Sequence, residues 1–105
     1  MDNMKNFQVV DLDQVRSILR ENRAEISNRF KTEILGIFGS YSRGEASSTS
    51  DIDLLVRFEK GASLFGWAGL VNYLEDKLSV SVDVVPEKTL KKELREQVFR
   101  DLIEL

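Results

Sequence analysis

The chain has 105 residues, and its apolar content of 42% fits a single globular domain spanning residues 1–105. It contains neither cysteine nor histidine, which excludes disulfides, thiolate metal sites and every catalytic site that requires an imidazole. Its net charge is −3, whereas a general nucleic-acid binder carries a positively charged surface. No apolar run approaches the ~20 residues that a membrane span needs. Residues 1–8 are polar and carry no signal-peptide core, so we expect a cytoplasmic protein.

The first predicted element is a helix over about residues 12–30, where apolar side chains recur at helical spacing. Asp11 and Gln14 resemble a capping box at its start. The polar run at residues 20–23 could divide this region into two shorter helices.

Two strands follow, separated by a loop. Residues 33–38 form a short apolar run that ends at Gly39, which predicts a buried strand. Residues 51–58 alternate in polarity and predict a second strand. One face of that second strand is entirely apolar: Ile52, Leu54 and Val56. Residues 39–50, between the strands, are rich in glycine and serine and have no apolar period, which predicts a loop.

The second half of the chain predicts a helix, a strand and a final helix. Apolar residues recur at helical spacing over residues 64–78, alternate over residues 80–85 and return to helical spacing over residues 90–102. Pro86, the only proline, ends the strand. The order helix, strand, loop, strand, helix, strand, helix predicts a small α/β fold in which helices flank a sheet.

Two groups of side chains in this half invite a nucleic-acid interpretation, which we do not favour. Phe65 and Trp67 are interpreted as core or partner-facing aromatics rather than as a platform for base stacking. Basic residues of the last helix are interleaved with glutamates, which favours a solvated helix face.

The loop after the first strand opens with Gly39-Ser40. Glycine lets the backbone approach a bulky anion, and a short helical turn starting at Ser40 would aim free N–H groups and a hydroxyl at a phosphate. Arg43, one turn on, could point its guanidinium at the same anion. A glycine-serine pair after a strand is more often an ordinary tight turn, so its meaning depends on its neighbours.

Asp51 and Asp53 lie two residues apart at the start of the second strand, so both carboxylates face the same way. Like charges so placed repel unless a cation lies between them, and aspartate is disfavoured in strands. Such conflicts tend to mark functional sites, and hard oxygen ligands suit Mg²⁺ bound together with substrate phosphates. The alternative is that Asp51 caps the loop and Asp53 lies on a solvated face.

Asp83 is a third candidate carboxylate, on the face of the predicted strand 80–85 that is opposite the valines. If that strand lies beside residues 51–58, Asp83 approaches the pair of aspartates there, and three carboxylates around one or two metal ions suit nucleotidyl transfer. Asp83 could also take the proton from an attacking hydroxyl. The alternative is an ordinary surface aspartate.

The spacing Gly39-Ser40, ten intervening residues, then Asp51-x-Asp53 resembles the signature of the DNA polymerase beta-type nucleotidyltransferase superfamily. The loop and strand around this signature are similar to those of its minimal nucleotidyltransferases (MNT), the antitoxin partners of HEPN toxins in prokaryotic toxin–antitoxin pairs. The resemblance covers nearly the whole chain. It implies the nucleotidyltransferase fold, a mixed three-stranded sheet in the order 1-2-3 flanked by helices.

The resemblance also implies roles for individual residues. The catalytic and metal-binding carboxylates would be Asp51, Asp53 and Asp83. The nucleotide contacts would be made by Gly39, Ser40 and Arg43. Two Mg²⁺ ions would accompany the substrate ATP, and AMP would pass to a hydroxyl, a tyrosine of a cognate HEPN ribonuclease toxin, which is thereby silenced.

Two other functions stay open on the sequence alone. The chain could be a non-catalytic antitoxin that masks its toxin and retains a vestigial site. It could also transfer nucleotides to a small molecule, although enzymes of that kind need an additional domain that we do not find in this sequence.

Overall fold

The computed structural model describes residues 11–105, so the expectation that residues 1–8 carry no signal peptide lies outside the described part. The described part forms α1 Leu12–Glu21, α2 Arg23–Phe30, β1 Thr32–Phe38, β2 Ile52–Phe58, α3 Leu64–Leu78, β3 Val82–Pro86, a 3₁₀ turn Glu87–Thr89 and α4 Lys92–Asp101. This confirms the predicted order of helices and strands. None of the helices within residues 11–105 combines the length and the apolarity needed to cross a bilayer.

The three strands form one mixed sheet in the order β1-β2-β3, which confirms the predicted architecture. β1 is antiparallel to β2, and β2 is parallel to β3. A bulge between Ile34 and Gly36 shifts the register of β1, so that Ile34 and Ile37 are both buried although they are an odd number of residues apart. Because β2 is the central strand, the residues at its start have a strand on either side.

The first helical region consists of two helices that meet at Asn22, as the polar run at residues 20–23 allowed. Asn22 leaves the helical conformation (φ −104°, ψ 8°), and its side-chain Nδ2 donates to the carbonyl of Ile18 at 2.8 Å. Its Oδ1 accepts a hydrogen bond of 2.8 Å from the hydroxyl of Tyr73 on α3. The break therefore ties the helix pair to α3.

Two element boundaries differ from the prediction. β3 begins at Val82 rather than at residue 80, because Ser79 ends α3 in the left-handed conformation (φ 57°) and the chain must turn before it enters the sheet. Pro86 is the last residue of β3 and is paired with Val56; its missing N–H is tolerated because β3 is an edge strand. α4 likewise starts later than predicted, after the 3₁₀ turn.

The main core lies between α1, α2, α3 and one face of the sheet. The predicted apolar face of β2 is fully buried there: Ile52, Leu54 and Val56. Leu55, on the other face of β2, is also fully buried, whereas Asp53 on that face is only half-buried. After α4 the chain returns to β1, where Ile37 and Ile103 exchange backbone hydrogen bonds of 2.9 and 2.8 Å. The acidic side chain at the start of the central strand, Asp53, thus lies on the face of the sheet opposite the main core.

Candidate active site

The loop after β1 begins with a glycine that two separate constraints require. Gly39 has φ +80°, in the left-handed region that favours glycine. A Cβ at this position would also overlap the Oδ2 atom of Asp53. Gly39 therefore sets the direction of the chain and leaves room for the carboxylate beside it.

The residues after Gly39 fold into a tight helical turn. The amides of Ser42 and Arg43 donate to the carbonyl of Gly39 at 3.1 and 3.2 Å. The amide of Glu45 donates to the carbonyl of Ser40 at 2.9 Å. The amide of Ser40 itself donates no backbone hydrogen bond within residues 11–105, as is normal for the first turn of a helix. The turn that was predicted to start at Ser40 is thus formed, with a free N–H of the kind that suits a phosphate.

Asp53 lies in the central strand with a neighbour on each side. It is paired with Phe38 on β1 and with Asp83 on β3. Neighbouring strands lie about 4.8 Å apart, so the two aspartates are side by side at the same end of the sheet. Asp51 directly precedes β2; Asp51 and Asp83 are exposed, whereas Asp53 is half-buried. The condition stated for Asp83, that its strand lies beside β2, is met.

The mutual repulsion of these carboxylates acts mainly on Asp53. Its pKa is raised to about 6, first by burial and then by the negative charges of Asp83 and Asp51. The positive charge of Arg43 lowers the same pKa. Ionisation of Asp53 therefore costs the folded chain stability, and a cation between the carboxylates would offset that cost.

The carboxylates do not form a ready-made metal cage. Within residues 11–105 no three acidic side chains lie close enough together to enclose a metal ion. Mg²⁺, however, is commonly bound by only one or two carboxylates, with waters and substrate phosphates completing its octahedron. The oxygen donors of the neighbouring Asp53 and Asp83 fit that mode, in which a phosphate arrives together with the metal.

Arg43 lies at the edge of the site, with its guanidinium held by two carboxylates. Its Nε donates to Glu45 at 2.9 Å, and its Nη1 donates to Asp101, the last residue of α4, at 3.2 Å. Hydrogen bonds to these partners raise the pKa of Arg43. The predicted nucleotide contact of Arg43 stays a prediction, although its charge is felt at Asp53. Sequence reasoning misses Asp101, because no local pattern links it to a loop residue 58 positions away.

A cavity of about 480 Å³ lies at the other end of β2. Its walls are largely apolar, with Val56, Phe58, Trp67 and Pro86 among them. Arg57, a charged side chain in its wall, is paired with Glu87 at 2.7 Å. None of the three aspartates lines this cavity, so it is separate from the candidate site at the carboxylate end of the sheet.

The two aromatic residues at the start of α3 have different environments. Trp67 is half-buried and packs edge-on against Phe58, with ring centroids 5.5 Å apart. Phe65 is 92% exposed, so it is not a core residue, and its partner-facing interpretation stays a prediction.

Comparison with known proteins gives four consistent matches. The family model described as nucleotidyltransferase domain matches residues 12–105. The protein adenylyltransferase MntA of Thermococcus cleftensis is 39% identical over 95 residues, which cover 90% of this chain and 96% of that protein.

Two solved structures share the fold. One, provisionally described as a minimal nucleotidyltransferase, is 44% identical, has a TM-score of 0.76 and is matched over 90% of this chain and 96% of its own. A chain of a toxin–antitoxin structure with AMP-PNP is 26% identical, has a TM-score of 0.63 and is matched over 88% of this chain and 69% of its own. The range that the family model matches, residues 12–105, includes the loop after β1 and the paired strands β2 and β3.

Proposed function

The chain belongs to the nucleotidyltransferase domain family, and on this premise we propose that it transfers AMP from ATP to a hydroxyl group of a partner protein. Residues 1–105 would act as one nucleotidyltransferase domain. The proposed location is the cytoplasm, which supplies ATP. The similarity to a protein adenylyltransferase over nearly the full length of both chains supports this choice of reaction.

The observation that carries the proposal is the pairing of Asp53 with Asp83 beside the turn at Gly39. It combines two carboxylates in an electrostatically unfavourable arrangement with a backbone turn whose first amide is free. A metal-bound triphosphate would satisfy both, since its phosphates accept from the amide and its metal neutralises the carboxylates.

We propose that Mg²⁺ binds at Asp51, Asp53 and Asp83, where each ion would be held by only one or two of the three carboxylates together with substrate phosphates. When bound, with two ions accompanying the nucleotide, Mg²⁺ supplies the positive charge that activates the acceptor hydroxyl and neutralises the leaving pyrophosphate. The residues fit this role by their oxygen donors and by the raised pKa of Asp53.

The remaining residues bind and orient the substrates. Gly39 allows the triphosphate to approach the backbone, Ser40 donates to it through its amide and hydroxyl, and Arg43 adds a positive charge. The acceptor oxygen then forms a bond to the α-phosphorus of ATP while the bond to pyrophosphate breaks. Asp83, exposed on β3, takes the proton that the hydroxyl loses.

The proposed acceptor is a cognate toxin. The relative from Thermococcus cleftensis is named a protein adenylyltransferase, and a similar chain occurs in a toxin–antitoxin structure with AMP-PNP. The sequence resemblance implies that the toxin is a HEPN ribonuclease and that the acceptor is a tyrosine. Modification would silence the toxin, so this chain would act as an antitoxin and form a complex with it.

The test is to incubate the chain with ATP, Mg²⁺ and the product of the neighbouring gene, and to measure the intact mass of that product. We expect the mass to increase by one or more AMP units. Asp53→Asn should reduce this transfer at least ~100-fold while the fold is kept, because it removes a charged metal ligand. Asp76→Asn is the matched control, the same substitution on the exposed face of α3, and should have no effect.

The same experiment separates transfer from masking. If the toxin stays inactive and carries AMP after this chain is removed, transfer accounts for the inhibition. If its mass is unchanged and its activity returns on separation, the chain is a masking antitoxin and the proposed reaction is wrong.

A further inference from the structure

We infer that Asp101, the last residue of α4, is a positioning residue that holds the guanidinium of Arg43 at the mouth of the nucleotide site. The inference rests on the proposed function, since it concerns the binding of the ATP triphosphate. It gives α4, which lies outside the glycine-serine and aspartate signature, a part in the geometry of the site.

The position of Asp101 is itself fixed by a second hydrogen bond. Its Oδ2 accepts from Nη1 of Arg43 at 3.2 Å and from Nε2 of Gln97, one helical turn earlier, at 3.0 Å. The side chain of Asp101 is only 14% exposed. These two donors, Gln97 first, lower the pKa of Asp101, so the carboxylate stays ionised at neutral pH. Asp101 is thus a fixed, charged acceptor rather than a mobile surface group.

The place of Asp101 on its helix points to a role beyond folding. A carboxylate in the last turn faces the negative end of the helix dipole, which is unfavourable for an anion. The ion pair with Arg43 adds little to stability, because the Arg43 side chain is 42% exposed and exposed ion pairs contribute little. Stability therefore does not explain why an aspartate occupies this position. A local choice that opposes stability is a common mark of function.

The consequence of the contact is a preorganised guanidinium. Arg43 also donates through Nε to Glu45, but Glu45 lies on the same loop and cannot fix that loop to the rest of the fold. Asp101 supplies the link to a helix. Nη2 of Arg43 donates to no acceptor within residues 11–105, so the group keeps a donor for a phosphate. An arginine that is held in place loses less conformational freedom when it binds a phosphate.

The experiment measures binding of AMP-PNP with Mg²⁺ by isothermal titration calorimetry, which requires no acceptor protein. We expect Asp101→Ala to weaken binding about tenfold, and Arg43→Ala to weaken it at least as much. In the Arg43→Ala background the Asp101 substitution should have no further effect, because its action passes through Arg43. Asp101→Glu keeps the charge and should restore binding to within about threefold of the unmodified chain.

The matched control is Glu96→Gln, the loss of a carboxylate that is 89% exposed on the same helix, and it should leave the affinity unchanged. Thermal unfolding of each variant shows that it is folded; if Asp101→Ala is not, Asp101→Leu, which is similar in size and has no oxygen acceptor, takes its place. Unchanged affinity after the loss of the Asp101 carboxylate, or the same tenfold loss in the Arg43→Ala background, would overturn the inference and leave the proposed function intact. No binding by the unmodified chain would overturn both.

Discussion

The two ends of the central strand β2 differ in the kind of side chain that surrounds them. At the apolar end, formed by Val56, Phe58, Trp67 and Pro86, apolar side chains line a cavity and the nearby charge of Arg57 is paired. At the carboxylate end, formed by Gly39, Asp53 and Asp83, two acidic residues lie side by side next to a left-handed glycine, and one of them has a raised pKa.

The difference teaches where to look for function in a small domain. The apolar end has the more obvious cavity, yet its residue types are those that folding alone would select there. The carboxylate end has aspartates in strands, where they are disfavoured, and it places like charges side by side. It also contains a backbone conformation that few residues adopt, and such conflicts with folding preference tend to mark function. The departures from folding preference, more than the concave shape, indicate the site.

The largest test of this contrast is a substitution at Gly39. Gly39→Ala places a Cβ on Asp53 and forces alanine into the left-handed region, so we expect a loss of about 3 kcal/mol in the free energy of unfolding and at least tenfold weaker binding of AMP-PNP. Urea denaturation and calorimetry measure the two effects.

Gly44→Ala is the matched control for that substitution. Gly44 also has a positive φ (+72°), but a Cβ there would meet no atom within 4 Å. It should therefore lose only about 1 kcal/mol, from backbone strain alone. Equal losses for the two variants would contradict the close approach of Gly39 and Asp53.

At the apolar end, Trp67→Ala should destabilise without affecting the chemistry. Because Trp67 is half-buried against Phe58, we expect a loss of about 2 kcal/mol in the free energy of unfolding and unchanged affinity for AMP-PNP. Phe65→Ala, at an exposed position two residues earlier, should change stability by less than about 0.5 kcal/mol. Weaker nucleotide binding by Trp67→Ala would remove the distinction between the two ends.

The smallest expected effect is a pH-dependent gain in stability from Asp53→Asn. The pKa of Asp53 is about 6 in the folded chain against an ordinary value of 3.8, so the folded state binds the proton more tightly than the unfolded state does. Its ionisation therefore costs stability as the pH rises from about 4 to about 6, and the cost is fully present above that range.

Asparagine removes this cost. Without divalent cations we expect Asp53→Asn to match the unmodified chain at pH 4 and to exceed it by about 1 kcal/mol at pH 7.5, after allowance for solvent screening at a half-exposed group. Urea denaturation at pH 4, 6 and 7.5 measures the difference. A gain that does not change with pH would show that repulsion among the carboxylates is not its source.

Much of the fold could be predicted because it depends on local periodicity. The alternation that placed Ile52, Leu54 and Val56 on one face of β2 is confirmed by their complete burial. The break at Asn22 was only an option on the sequence, since it depends on Tyr73, which is 51 positions away. The later start of β3 depends on the left-handed conformation of Ser79, which the alternation of residues 80–85 does not reveal.

The candidate site divides in the same way. Gly39 and Asp53 belong to one continuous motif, so the residue types and their spacing were sufficient to single them out. To predict that Asp83 lies beside Asp53, the order and direction of the strands must be known. The sequence suggested both, and the observed pairing of β2 with β3 establishes them. Asp101 could not be found, since its contact with Arg43 exists only when α4 has packed against the rest of the fold.

The most direct test of the central claim is a crystal structure of the chain with AMP-PNP and Mn²⁺, which prefers the same oxygen ligands as Mg²⁺ and is located by its anomalous scattering. We predict a Mn²⁺ peak bound by carboxylate oxygens of Asp53 and its acidic neighbours, with the triphosphate lying over the turn at Gly39 and Ser40. Nucleotide bound in the apolar cavity, or Mn²⁺ distant from Asp53, would contradict the account.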